Sequence, residues 1–141
     1  MKVAVDTNVF ISTIIKPESH IGMIVVRMRN GDFTLLYSSQ MLEEFAEVVT
    51  RDKIWKKYKL TDETFNSFVN SLTAHGERVE VVTVVDVCRD PDDNLLLSIA
   101  LDGKADYIVS GDKDLLDLIS FQNIPIIKPS EFLRMFEQDN S

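Results

Sequence analysis

At 141 residues and 45% apolar, the chain is long enough to bury a proper core and too short to suggest more than one unit, so residues 1–141 are expected to form a single domain. Its 15 Lys and Arg against 23 Asp and Glu give a formal charge of −8, so it cannot coat nucleic acid by bulk charge, and a phosphate polymer would have to be held through a metal or a local basic patch. The lone Cys88 excludes an internal disulfide framework, Asp6 interrupts the apolar start, and no run is long enough to span a membrane, which together lead to the expectation of a soluble, cytoplasmic protein.

Lys2 to Val5 reads as a buried first strand, followed by the polar Asp6-Thr7-Asn8, suited to a turn or a helix cap. A short helix then runs to Lys16-Pro17, where proline stops it. Ile21, Ile24, Val25 and Met28 keep the spacing of a core-facing helix that ends at Asn30-Gly31. Phe33 to Tyr37 is the second strand. Ser38-Ser39 caps a helix from about Met41 to Thr50, and Phe65, Phe68, Val69 and Leu72 mark another after Thr61-Asp62. The β-branched Val79 to Val87 predicts an extended segment, and the apolar Asn94 to Leu101 a buried helix. Asp106 to Val109 and Ile124 to Ile127 are short late strands, and Pro129 to Phe136 closes the chain as a helix with proline in its first turn. Strands alternating with helices predict an α/β fold with a parallel sheet covered on both faces.

Three acidic clusters sit where strands or extended segments end: Asp6-Thr7-Asn8, Asp90-Pro91-Asp92-Asp93-Asn94 and Ser110-Gly111-Asp112-Lys113-Asp114. In an open parallel sheet the ligand crevice lies beyond the carboxyl ends of the strands, so acids from distant segments can meet there. Carboxylates crowded together repel unless they share a cation, and Mg²⁺ or Mn²⁺ prefers such hard oxygen ligands. Asp6 follows an apolar strand directly, where Thr7 and Asn8 could cap without it, so it is read as functional. Glu44 lies at the edge of the apolar stripe of its helix, either facing the crevice or solvated. Asp93 leads into the buried helix and is preferred to Asp92 and Asp90. The glycine of Ser110-Gly111 is expected to permit a tight turn that delivers Asp112 past its strand, and Asp114 either joins the site or caps the next helix. The alternating acids of 90–94 do not make a calcium loop, because Leu95 stands where its glycine belongs. His20 and His75 lack zinc-site spacing.

Val-Asp-Thr-Asn at positions 5–8, Ser38-Ser39 with Glu44, Asp-Pro-Asp-Asp-Asn at 90–94 and Ser-Gly-Asp-Lys-Asp-Leu-Leu at 110–116 together resemble the PIN-domain nucleases over nearly the whole chain, most closely the toxin branch of toxin-antitoxin systems (VapC-like). The resemblance implies a three-layer α/β/α sandwich with a mostly parallel sheet of about five strands, and a Mg²⁺- or Mn²⁺-dependent endoribonuclease leaving a 3′-hydroxyl and a 5′-phosphate. It maps the acidic centre onto Asp6, Glu44, Asp93 and Asp112, with Asp114, Thr7, Asn8 and Ser110 as secondary ligands. It also implies a homodimer, a small antitoxin partner and an RNA substrate, single-stranded or looped. The basic, aromatic stretch 51–59 is the local candidate for holding that RNA through Arg51, Lys53, Lys56 and Lys57. The opposing view of this stretch has Trp55 and Tyr58 packed inward and the lysines solvated.

Two other readings are weighed. A haloacid-dehalogenase-like phosphatase expects a second Asp where this chain has Asn8. A noncatalytic PIN-like module would bind metal or RNA without cutting, which the four intact acids oppose.

Overall fold

The computed structural model describes residues 1–137. In chain order the elements are β1 (Lys2–Val5), α1 (Thr7–Ile15), α2 (Met23–Arg29), β2 (Thr34–Tyr37), α3 (Ser39–Val49), α4 (Asp52–Trp55) and α5 (Asp62–Ala74). β3 (Gly76–Arg78), α6 (Pro91–Asp102), β4 (Tyr107–Val109), α7 (Lys113–Leu116), β5 (Ser120–Phe121), β6 (Ile124–Ile127) and α8 (Pro129–Glu137) follow. The sheet order is β3-β2-β1-β4-β6-β5, and every pair is parallel except β5 with β6. Helices cover this sheet in a three-layer α/β/α arrangement, as expected, with one short antiparallel strand added at the edge.

The connection order fixes where a ligand can go. From β1 the chain winds outward through β2 to β3, then returns to β4 on the other side of β1 and continues to β6. The winding therefore reverses between β1 and β4, and the crevice of such a sheet opens at the carboxyl ends of the strands flanking that reversal. Val5 pairs with Val109 at that end, so Asp6 and Ser110 leave the sheet side by side.

The central strands read as apolar runs because both of their faces are covered: Val3, Ala4, Val5, Leu35, Leu36, Ile108 and Val109 are fully buried. Helix α6 packs on β1, β2 and β4 through Leu96, Leu97, Ile99 and Ala100. Phe45 stacks with Phe68 at 5.2 Å, and Phe33 meets Phe132 edge-on at 5.0 Å, so α3, α5 and α8 are locked by aromatic contacts.

Local signals explain most helix starts. Ser38 accepts from the Met41 backbone N–H at 3.1 Å, which starts α3 at Ser39, two residues before the periodic pattern suggests. Thr61 caps α5 in the same way through Thr64 N–H at 3.1 Å. The extended segment expected over Val79 to Val87 differs. The sheet takes Gly76–Arg78 instead, Val79 adds one backbone hydrogen bond to Tyr37 at 2.7 Å, and residues 80–87 pair with no strand among the described residues. Residues 79–86 alternate inward and outward as a strand would, leaving Val82 and Val84 exposed, the alternation breaks at the exposed Val87, and the segment is tied down by side chains. The Asp102 carboxylate accepts from the N–H groups of Val82 and Thr83, and the Asn94 amide oxygen from those of Val87 and Cys88. A β-branched sequence supplies extended backbone, but a ladder also needs a free neighbouring edge within reach.

The β5–β6 hairpin, absent from the sequence-based expectations, turns through Gln122 and Asn123 at φ of 49° and 67°, both left-handed, as a two-residue hairpin loop requires. Among the described residues no helix is long and apolar enough to cross a membrane.

Candidate active site

Asp6 ends β1 and begins α1. Its Oδ1 accepts from the Asn8 backbone N–H at 3.1 Å, so Asp6 itself caps α1, although Thr7 and Asn8 could have done so. Its Oδ2 accepts from Ser110 Oγ at 2.8 Å, across 104 residues of sequence. The same Ser110 oxygen accepts from the Asp112 backbone N–H at 3.0 Å. Ser110 is wholly buried and so joins the ends of β1 and β4 into one rigid corner. The cap does not withdraw Asp6 from the crevice, because its carboxylate borders the same cavity as Asp112.

Asp112 caps α7 through Asp114 N–H at 2.8 Å, and Asp90 caps α6 through Asp92 N–H at 2.9 Å. With Asp90 as cap, Asp93 falls one turn further in, where it is only 6% exposed. Burial, then the charges of Asp112, Asp90 and Asp6, and finally a hydrogen bond to the Asp112 carboxyl raise the Asp93 pKa to about 7. Asp6 is raised as well, first by burial, against the lowering effect of its bonds from Ser110 and Asn8. The carboxyls of Asp6, Asp93 and Asp112 thus share one electrostatic environment, with Asp90 at its border.

Glu44 occupies the other flank of Asp6. It lines a small cleft with Asp6, Thr7, Met41 and Asp92, and accepts from Gln40 Nε2 at 3.3 Å. Its pKa is raised by partial burial and by the Asp92 carboxylate. The 90–94 cluster therefore serves both flanks: Asp93 turns towards Asp112, and Asp92 towards Glu44.

The secondary positions separate. Asn8 borders a cavity of about 340 Å³ with Asp6 and Asp112, while Thr7 borders the Glu44 cleft. Asp114 pairs with Arg89 at 3.3 Å, both well exposed. Gly111 has no left-handed φ and has open space where a Cβ would lie, so the turn that delivers Asp112 does not depend on glycine. Cys88 is half-buried, and burial with the charges of Asp93 and Asp112 holds its thiol protonated at higher pH than usual. His20 and His75 are exposed.

The donors are all carboxylate and hydroxyl oxygens, the chemistry that suits Mg²⁺ or Mn²⁺, and a nearby cation would oppose the burial and acid repulsion that raise the Asp93 pKa. In donor chemistry the residues fit such an ion. Among the described residues no three Asp, Glu, His or Cys side chains form a group that could hold a metal as they stand. Asp6, Asp90 and Asp112 instead accept from backbone N–H groups as helix caps.

The stretch 51–59 lies apart from these cavities. Trp55 and Tyr58 are half-buried, with Trp55 tilted against Phe65 at 6.1 Å. Arg51 pairs with Glu47 at 3.3 Å, Lys56 with Asp52 at 3.5 Å, and Lys57 sits over the Tyr58 ring at 5.3 Å. Lys53 is exposed.

Residues 2–114 match the PIN domain family, a span that contains every acid of the crevice. The chain is also similar to an uncharacterized protein of Methanocaldococcus jannaschii, 30% identical over 146 residues, covering 98% of this chain and 93% of that one. No solved structure matches it. With the acids at the switch point of the sheet and the family match spanning most of the chain, this protein belongs to the PIN domain family, whose members are generally nucleases.

Proposed function

We propose that the protein is a metal-dependent endoribonuclease that hydrolyses RNA phosphodiester bonds at the carboxyl end of β1 and β4. The observation that carries this reading is the gathering of Asp6, Asp112 and the buried Asp93 at the switch point of a PIN domain, where burial and the neighbouring acids raise the Asp93 pKa to about 7. Perturbed carboxyls gathered in a crevice mark functional sites. Asp6, Asp93 and Asp112 would hold Mg²⁺ or Mn²⁺, with Glu44 and Asp92 available on the second flank. A bound divalent ion supplies a nucleophilic water near neutral pH and neutralises charge on the phosphate. Ser110 keeps Asp6 and Asp112 in fixed relation, and Asn8 and Thr7 border the two approaches to Asp6.

The test is cleavage of a mixed, end-labelled single-stranded RNA pool with Mn²⁺ or Mg²⁺, with chelator and Asp112→Asn controls. Cutting that both controls abolish supports the reading, and cutting that survives Asp112→Asn sinks it. Products carrying a 3′-hydroxyl and a 5′-phosphate would match the hydrolysis proposed.

The caps that engage Asp6 and Asp112 with backbone N–H groups favour a second reading, a noncatalytic module that binds metal or RNA. Metal binding without turnover on any single-stranded or structured RNA would select it. As a toxin the protein would arrest growth when expressed alone and be released from arrest by a small antitoxin protein. A homodimer is supported by the half-exposed Met23 and Val26 beside a cavity of about 320 Å³ between α1, α2 and α5. Light scattering of the purified chain tests it.

A further inference from the structure

The cavity beside Asp6 and Asp112 does not end at the acids. It shares Ile21, Gly111 and Pro129 with a neighbouring cavity of about 270 Å³, whose walls also include His20, Leu116 and Lys128. One groove therefore leads from an acidic floor, past an apolar middle, to a basic outlet. Lys128 stands between β6 and α8 with its side chain exposed. Among the described residues it has no ion-pair partner, whereas Arg89 is taken by Asp114 and Lys113 by Asp117. In a chain of net charge −8, an unpaired cation beside the acid crevice is where a polyanion can be held.

Gly111 supplies an independent observation. It sits where the two cavities join, needs no left-handed φ and has nothing within 4 Å of a built Cβ. The protein's own packing leaves room for a side chain there, and the bare backbone keeps the groove continuous.

We propose that this groove seats the nucleotide next to the bond being cut, with its phosphate on Lys128 and its base over Ile21, Leu116 and Pro129. The inference rests on the endoribonuclease reading and adds a positioning residue to it. Lys128 contributes binding and register, and the acids contribute the chemistry. His20 stands at the same outlet as a second donor to the strand.

The experiment measures single-stranded RNA binding by fluorescence anisotropy with Ca²⁺, across a salt series, together with KM and kcat under Mn²⁺. Lys128→Ala is expected to weaken binding about fivefold to tenfold and to lower the slope of log K against log salt by about 0.7. Lys128→Arg restores most of the affinity. Lys104→Ala removes the same charge beyond the opposite end of the sheet and leaves binding near wild type. Gly111→Leu blocks the passage, raising KM by at least as much while Mn²⁺ affinity and the thermal midpoint hold.

Wild-type affinity and salt slope in both Lys128→Ala and Gly111→Leu, in a protein that cuts RNA, overturn the groove and leave the nuclease standing. Equal losses from Lys104→Ala and Lys128→Ala also overturn it, because bulk charge would then account for both. A wild-type protein that neither binds nor cuts RNA overturns both readings.

Discussion

The two flanks of Asp6 are built differently. On one, Asp93 is buried and the charge of Asp112 helps raise its pKa, and Ser110 ties the corner to adjacent central strands. On the other, Glu44 and Asp92 project from the surfaces of α3 and α6 and meet across a narrow cleft. Asp6 and Asp112, just past the ends of ladder strands, inherit the precision of the sheet, and Asp93 is fixed on α6 by its burial. A helix-edge acid keeps its rotamer freedom and gains order only when a ligand holds it. Under the proposed reading, the first flank would hold the ion and the second would supply an adjustable assisting group.

The largest effect should separate these flanks. Asp112→Asn or Asp93→Asn is expected to lower kcat by roughly three orders of magnitude, several kcal/mol of transition-state stabilisation. Glu44→Gln should cost about 10-fold to 100-fold, the scale of an outer partner. Equal losses in single-turnover assays would mean that the two flanks act as one centre.

Stability sharpens the contrast next. Asp93 has its pKa raised from the ordinary 3.8 to about 7, so its neutral form favours the fold below about pH 4, and that contribution is lost as pH rises to about 7. In chelator, thermal melts of the wild type should fall across this window, and Asp93→Asn should flatten the fall. Mn²⁺ affinity should rise with pH over the same window, because the Asp93 proton must leave before the ion binds. A melt independent of pH between 4 and 7 would remove Asp93 from the shared environment.

Ser110→Ala comes third. It leaves Asp6 Oδ2 without its donor and the Asp112 N–H without its acceptor in a buried corner, so chemical denaturation should show a loss of about 1–3 kcal/mol. Loosening that corner should lower activity more than the Glu44 flank responds to Gln40→Ala, which removes one partly exposed contact. The smallest effect belongs to the basic stretch. Changing Lys56 and Lys57 together to Ala should alter RNA affinity by less than about twofold, since Lys56 is in an exposed ion pair and Lys57 lies on Tyr58. A tenfold loss would return that stretch to the RNA path.

Much of this arrangement is legible in single segments. Ser38 and Thr61 announce their helices because a cap is decided within three residues, and the stripe from Ile21 to Met28 announces its buried face through the helix period. Asp6, Asp93 and Asp112 stand out because each follows or precedes an apolar run. Other features resist such reading. Nothing local distinguishes a strand that pairs from an extended segment that does not: Val79 to Val87 has stronger β-branched character than Tyr107–Val109, yet the shorter segment lies in the sheet centre and the longer one outside it. Gly111 looks like a turn glycine until its φ and its empty surroundings are known. The division of Asp92 and Asp93 between two flanks depends on how α6 is rotated against β1 and β4, which the nearly unbroken apolar stretch 95–101 does not specify.

The sequence by itself determined the α/β alternation, the caps, the apolar strands and the acids at their ends, because those depend on residues within a turn or two of one another. The tertiary structure decided that β1 and β4 lie side by side, that Ser110 joins Asp6 to Asp112, and that the groove past Gly111 leads to Lys128. Those relations join residues far apart in sequence, and the register of a packed sheet sets them where no local preference reaches.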